Sequence, residues 1–394
     1  MRHTIDELRI RQALPLDVKL RMTQQRVREW VEEYGSDGVY VSFSGGKDST
    51  VLLHIVRQLF PDVTAVFVDT GLEYPEIRDF VRGFDNVEWL KPKLSFKQVI
   101  DKYGYPFISK EVAGCVEGAK KYLTEIAQSN TISQTDRQTD RQTDRLIICM
   151  NTTECAVSVS MLKEKMQNRQ GGSNQRLLKM LGKLESNKSK MVNIPDRSKY
   201  DFSKYQFLLR APFNVTAKCC NVMKKAPSHE YYKQTGKKPI IATMAVESQL
   251  RLQDWLTKGC NAFDSKIPTS KPLSFWQEQD ILQYIKQNNL KIASVYGDIV
   301  PDMEAINEAD GQISINDLLG LPNNYPLKTS GCKRTGCMFC GFGCHLGNDQ
   351  RFVMMKKTHP KQYDYIMRSA DQGGLNYKDI IDWLNDNGNL NIKY

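Results

Sequence analysis

The sequence predicts an α/β fold, a parallel sheet flanked by helices and followed by a cysteine-rich region, on three observations. Short apolar runs at 39–43 and 64–68, suited to strands buried on both faces, alternate with helix-like segments. Each run ends in a polar, glycine-bearing loop that opens the next helix, the place where open parallel sheets bind ligands. Cys332, Cys337, Cys340 and Cys344 then follow, interleaved with glycines.

In chain order, residues 16–34 place Leu20, Val27, Trp30 and Val31 at helical spacing, and Gly35 supplies a stop. The run 39–43 reads as a buried strand and leads into Ser44-Gly45-Gly46-Lys47-Asp48-Ser49-Thr50. That stretch reads as a phosphate cradle. Its two glycines allow a tight turn, and the helix that follows, to about Phe60, aims unpaired N–H groups and its positive dipole end at the turn. Lys47 adds charge and Ser44 and Ser49 add hydroxyl donors, while Asp48 is placed to orient the loop or help hold a magnesium ion. The spacing excludes the common Gly-x-x-x-x-Gly-Lys-Ser/Thr loop, because the lysine directly follows both glycines.

A second strand at 64–68 ends in Asp69-Thr70-Gly71, with Pro75 suited to the first turn of a new helix. Asp69 and Thr70 are expected in the same crevice as the cradle. A third strand is expected at 87–90, and helices at about 95–103 and 110–128. The unit Gln-Thr-Asp-Arg then repeats from Gln134 to Arg145 with no apolar position, so it reads as a loop or solvated helix. A further strand at 239–243 opens onto Glu247, Ser248 and Arg251, and Ser274 to Gln277 reads as a capping box starting a helix, with Trp276 as a core anchor. The organisation expected is an N-terminal helical segment (1–37), a nucleotide-binding domain (38–130 with 205–300), a basic insertion (131–204) and a cysteine-rich region (301–394).

The chain has 394 residues, enough to bury a substantial core, and no apolar run approaches the ~20 residues of a membrane span. Its start has neither a signal peptide's apolar core nor a transit peptide's lack of acids, so a cytoplasmic protein without membrane association is expected. Ten cysteines in such a chain point to metal or redox chemistry and not to a disulfide framework. The net charge of +10 is uneven: residues 161–240 hold 18 Lys or Arg against 5 Asp or Glu. Such a segment can hold nucleic acid or channel anionic nucleotides.

The cradle closely resembles the Ser-Gly-Gly-x-Asp-Ser pyrophosphate loop of N-type ATP pyrophosphatases and of phosphoadenylyl-sulfate and adenylyl-sulfate reductases. Asp69-Thr70-Gly71 with Pro75-Glu76 resembles the corresponding reductase loop at the same spacing. Glu247, Ser248 and Arg251 match that family's Gly-x-Arg-x-x-Glu-Ser-x-x-Arg pattern, although Ala242 and Met244 stand where it has glycine and arginine. The resemblance implies an adenine nucleotide alpha hydrolase-like fold. Its ligand would be ATP or an adenylyl sulfonucleotide, held by Ser44 to Ser49, Asp69, Thr70, Glu247, Ser248 and Arg251.

The cysteines allow three assignments: a zinc site on Cys332, Cys337, Cys340 and Cys344, a two-iron cluster at plant-type spacing, or a four-iron, four-sulfur cluster. The last follows from resemblance to adenylyl-sulfate reductases, whose tandem and distant cysteine pairs correspond to Cys219, Cys220, Cys337 and Cys340. It accounts for both cysteine groups and is preferred. Cys332 and Cys344 then stand beside the cluster as candidate persulfide carriers or redox thiols, and with Lys47 and Asp48 they are the catalytic candidates.

The reductases' C-terminal Glu-Cys-Gly thiol has no counterpart after Cys344. The leading expectation is therefore ATP cleavage to adenylylate an acceptor, nucleic acid among the candidates, for sulfur delivery from a thiol or persulfide donor protein. The alternative is a sulfonucleotide reductase making sulfite with Cys344 or Cys332 as the working thiol. A nucleotide-binding regulator without turnover is the third.

Overall fold

The apolar runs become strands of one sheet. The computed structural model describes residues 3–128, 145–150, 153–158, 163, 172–183, 201–308 and 325–394. Six strands pair in the order β3-β2-β1-β4-β6-β5, where β1 is Val39–Ser42, β2 Ala65–Val68, β3 Val87–Leu90, β4 Lys238–Ile241, β5 Asn261–Ala262 and β6 Thr269–Ser270. All neighbours run parallel except β5, which closes one edge antiparallel to β6. The chain leaves β1 toward β2 on one side and returns to β4 on the other, so the end of β1 is the point where strand order reverses, the usual ligand crevice of an open parallel sheet.

The chain divides into two compact units, residues 1–93 with 223–338 and residues 94–222 with 339–394. The whole six-stranded sheet belongs to the first. Its helices of eight residues or more, among the described residues, are α1 (Ile5–Ala13), α2 (Leu16–Tyr34), α3 (Lys47–Leu59), α4 (Pro75–Arg82), α5 (Ala226–Thr235), α6 (Gln249–Lys258) and α7 (Glu278–Gln287). Val27 and Trp30 of α2, Val51, Leu52, Ile55 and Val56 of α3, and Phe275 and Trp276 are all fully buried in one core. Each such side chain contributes about 1.5–3 kcal/mol by leaving water.

Trp276 is the core anchor its sequence context suggested, with its indole N–H donating to Thr23 Oγ1 at 2.9 Å. The expected Ser274 capping box is corrected: α7 begins at Glu278, and Gln277 N–H donates to Asp280 Oδ2 at 2.7 Å. Ser274 Oγ donates instead to the Lys271 carbonyl. Asp280 is fixed from outside its own helix, since the buried Lys19 ammonium of α2 lies 2.7 and 2.8 Å from its two oxygens. A long-range ion pair, invisible to local pattern, thus selects where α7 starts.

In the second unit, Ser95 and Gln98 form a reciprocal capping box for the helix Phe96–Tyr103. The helix Lys110–Gln128 packs against Gly172–Met180, whose Leu177 and Leu178 are fully buried. Part of the expected 131–204 insertion is therefore built into this unit. Arg145–Met150 and Thr153–Ser158 pair antiparallel. Most of the Gln-Thr-Asp-Arg repeat, and of the basic stretch between 164 and 200, lies outside the described residues. A short parallel pairing joins Gly341–Phe342 to Phe107–Ile108, and the ring of Tyr377, fully buried, packs against Phe107 and Phe352. Among the described residues no helix is long and apolar enough to cross a membrane.

Candidate functional site

The turn between β1 and α3 is held by its own side chains. Gly45 sits at φ +69°, and a Cβ there would lie 2.7 Å from a Val81 methyl and 2.8 Å from an Ile77 methyl of α4, so both conformation and packing demand glycine. Ser49 Oγ donates to the Gly46 carbonyl at 2.9 Å and accepts from the Ser44 N–H at 3.2 Å. Its single proton being used, Ser44 Oγ donates to it across 3.0 Å and accepts from the Gly46 N–H at 3.4 Å. The serines expected to face a phosphate thus first shape the loop that would receive it.

Lys47 opens α3 with its side chain 4% exposed and its ammonium 3.3 Å from both Asp48 Oδ1 and Glu278 Oε1. Burial favours its neutral form, but the Asp48 and Glu278 carboxylates outweigh this and hold its pKa above the ordinary value. Asp48 Oδ1 is buried, with the Lys47 ammonium as its charge partner. Such an acceptor beside a phosphate cradle suits a divalent cation. The Lys47 backbone N–H, one of the donors a helix start leaves open, donates to the Tyr296 hydroxyl at 3.1 Å, and that hydroxyl lies 2.6 Å from Thr335 Oγ1.

The predicted residues divide into those that line the space above this helix start and those that support it. A cavity of about 220 Å³ is bounded by Ser44, Gly46, Lys47, Asp48, Ser49 and Glu247, and also by Tyr296, Arg334 and Thr335. A second, of about 140 Å³, adjoins it at Ser44 and Thr335 and is floored by Val66, Phe67, Val68 and Ile77, with Glu73 and Lys224 at its polar side. Asp69 and Thr70 are buried, and their side chains serve the loop. Asp69 takes Arg78 at 2.9 Å and the Gly71 N–H at 3.2 Å, while Thr70 Oγ1 donates to Glu73, 2.7 Å from its nearer oxygen. Ser248 caps α6 by accepting from the Arg251 N–H at 3.3 Å. Glu247 accepts from the Met244 N–H at 2.9 Å and pairs with Arg251. Burial, and the nearby Arg334 charge, pull the Arg251 pKa down against the attraction of Asp48.

Tyr296, Glu278, Arg334, Thr335, Glu73 and Lys224 escaped the sequence reading. Arg334 and Thr335 carried one signal: they lie between Cys332 and Cys337, where only the cysteine spacing was weighed. That segment is zipped onto the Tyr296 turn, Gly331 N–H donating to the Tyr296 carbonyl at 2.8 Å and Cys332 N–H to the Val295 carbonyl at 2.9 Å. Gly331 is required there, since a Cβ would meet the Val295 oxygen at 2.5 Å.

The cysteines fall in both units. Cys332 and Cys337, half-buried, belong to the first and flank the Arg334–Thr335 wall. Cys219, Cys220, Cys340 and Cys344 belong to the second. There burial raises the Cys340 thiol and holds the Tyr377 phenol well above its ordinary value. The backbone around them is hydrogen-bonded by side chains: Tyr377 OH donates to the Phe339 carbonyl at 2.7 Å, and Arg351 donates to those of Cys340 and Phe342 at 2.8 and 2.9 Å. This soft donor set fits an iron–sulfur cluster or zinc in chemistry. Within either unit, among the described residues, no three His, Cys, Asp or Glu side chains converge as a metal site. Cys344 is 3% exposed, and burial pushes its thiol up to about 12, so it is protonated at neutral pH. Cys332 is the more accessible of the two candidate working thiols.

Comparison with known proteins bears on the family. The family model described as phosphoadenosine phosphosulfate reductase domain matches residues 38–143 and 154–341. An adenosine 5'-phosphosulfate reductase of Staphylococcus haemolyticus is 31% identical over 83 residues, 20% of this chain and 34% of that protein. A phosphoadenosine 5'-phosphosulfate reductase of Xylella fastidiosa is 41% identical over 51 residues, 13% of this chain and 22% of that protein. An uncharacterised protein of Methanocaldococcus jannaschii is 35% identical over 104 residues, 24% of this chain and 25% of its own length. The chain thus spans a third or less of two of these relatives and 34% of the other. The crystal structure of a phosphoadenylyl-sulfate reductase from Candida auris in phosphate complex aligns with TM-score 0.32 and 13% identity, over 75% of this chain and 91% of that one.

Proposed function

The chain belongs to the phosphoadenosine phosphosulfate reductase domain family, and from that premise we propose that it performs sulfur chemistry on an adenine nucleotide, reducing an adenylyl sulfonucleotide to sulfite. One observation carries this reading: the wall of the cavity over the cradle is made by the Arg334–Thr335 segment, which Cys332 and Cys337 flank. A thiol and a wall of that cavity thereby belong to one segment.

The apolar floor of the smaller cavity suits the base, and the α3 start with Lys47 suits the phosphate. The Cys332 thiolate attacks the sulfonate sulfur, the bond from sulfur to the bridging oxygen breaks, and its electron pair leaves on the nucleotide phosphate. Lys47 and the helix N-terminus stabilise that charge. A second thiol then attacks the cysteine sulfur, releasing sulfite and leaving a disulfide, so the two thiols supply both electrons. Cys344, buried and protonated, is the weaker candidate for the first step.

A second reading, ATP-dependent adenylylation of an acceptor for sulfur transfer, draws on the Asp48 carboxylate, whose buried Oδ1 stands beside Lys47 at the start of α3. That oxygen could hold a magnesium ion, which would neutralise a polyphosphate. The acceptor would be nucleic acid on the basic 161–240 segment, and the sulfur would come from a thiol or persulfide donor protein. The iron–sulfur assignment to Cys219, Cys220, Cys337 and Cys340 rests on the family resemblance. A cluster there would supply electrons or tune nearby sulfur.

The experiment is an anaerobic assay of the intact chain with a dithiol reductant, given ATP, adenylyl sulfate or phosphoadenylyl sulfate. Sulfite from a sulfonucleotide, abolished by Cys332→Ser, is expected. Pyrophosphate from ATP without sulfite would replace this reading by the second, and no product from any substrate would leave a nucleotide-binding regulator.

A further inference from the structure

Lys47, Arg334, Asp48 and Glu247 are the charged residues that line the cavity above the cradle, with Glu278 and Arg251 paired to two of them, and the pairing is uneven. Lys47 answers Asp48 and Glu278, and Arg251 answers Glu247. Arg334 lines the same cavity and, among the described residues, makes no ion pair. It stands near enough to Arg251 for the two charges to oppose each other. Two guanidinium groups brought together at the rim of a phosphate cradle are stabilised by an anion between them, and a guanidinium presents a planar fork suited to phosphate or sulfonate oxygens.

Arg334 is also held in place. Thr335, its neighbour, meets the Tyr296 hydroxyl at 2.6 Å, and on its other side Cys332 and Gly331 pair by backbone with Val295 and Tyr296. The residue therefore projects from a segment anchored at both ends, a geometry that favours selection by position over diffuse attraction.

We infer that Arg334 is a specificity-determining residue that reads the anionic group joined to the nucleotide's α-phosphate, whether phosphate or sulfonate. This rests on the nucleotide reading above. It assigns to the segment between Cys332 and Cys337 a binding role separate from thiol chemistry, and it places the recognised anion beside the cysteines that flank Arg334.

The test is calorimetric titration of the full chain, wild type, Arg334→Gln and Arg334→Lys, with AMP, ADP, ATP and adenylyl sulfate. Because Arg334 is exposed, the variants are expected to fold, which circular dichroism checks. In Arg334→Gln, ADP, ATP and adenylyl sulfate should each weaken by about tenfold or more, the scale of one charge-assisted contact, while AMP stays within about twofold. Arg334→Lys should recover part of the loss by restoring charge without the fork. Equal weakening of AMP with the other three, or no weakening of any, would overturn the inference. A wild-type chain that binds none of the four would defeat the nucleotide reading itself, and with it this assignment.

Discussion

Tyr296→Phe removes a single oxygen, and the structure sets out what that oxygen holds. Tyr296 is 2% exposed, and its hydroxyl accepts the first N–H of α3 from Lys47 at 3.1 Å while lying 2.6 Å from Thr335 Oγ1. Each bond contributes about 0.5–1.5 kcal/mol net, and a buried donor left without a partner costs about 1–3 kcal/mol, so a loss of about 2 kcal/mol is expected. For a unit of this size that corresponds to a fall in midpoint of about 4–8 °C. Trp30, Trp89, Trp255 and Trp276 lie in the first unit, so tryptophan fluorescence during heating reports chiefly on it. A double-mutant cycle with Thr335→Val isolates the link between cradle and cysteine segment, with an expected coupling of about 1 kcal/mol. Additive single effects, or an unchanged midpoint in Tyr296→Phe, would refute the claim that this hydroxyl ties the two together.

Two further perturbations act on the same unit. Gly45→Ala combines a positive φ with methyl contacts at 2.7 and 2.8 Å, so urea unfolding should show a loss of about 2–4 kcal/mol. Gly71→Ala, at φ +73° with no atom within 4 Å of its Cβ, should lose only about 1 kcal/mol, and equal losses would mean that packing on α4 is not what fixes Gly45. Burial pushes the Tyr40 phenol from 10.0 up to about 12. Both states hold its proton below pH 10, so its stabilisation is intact there. Between pH 10 and about 12 the unfolded chain ionises first and up to roughly 2–3 kcal/mol is lost. Tyr40→Phe should flatten the fall in urea midpoint from pH 9 to pH 11, and an unaltered slope would assign that fall to other groups.

The parts of this molecule that were legible in sequence are those whose causes are local. A strand, two glycines and a helix start are contiguous, and the β1–α3 turn, β2, β3, the Pro75 start of α4 and the α2 stop at Gly35 lie where their own residues require them. Asp69 and Thr70 stand at the expected strand end, and their side chains also bond Arg78, Gly71 and Glu73, contacts that spacing does not reveal. The start of α7 was misjudged because Lys19, from α2, decides it. Tyr296, Glu278 and Arg334 reach the cradle from more than 200 residues away in the chain, and of the three Arg334 alone has marked neighbours, the cysteines on either side of it.

The cysteine segment shows why local pattern and function separate here. Read as spacing, Cys332, Cys337, Cys340 and Cys344 look like a single soft-ligand cluster. In space the run is shared between units, and its first part is a wall of the cavity above the cradle, lined there by Arg334 and Thr335 with the cysteines flanking them in sequence. An adenine nucleotide is common to the readings of this family's cradle, so the cradle alone does not select a reaction. What selects it is which thiol reaches the bound nucleotide in reactive form. Burial raises the Cys344 thiol to about 12, whereas Cys332 is half-buried in a segment pinned through Tyr296 to the first residue of α3. Accessibility and attachment both favour Cys332, and that is the physical ground for looking to sulfonucleotide reduction before adenylylation.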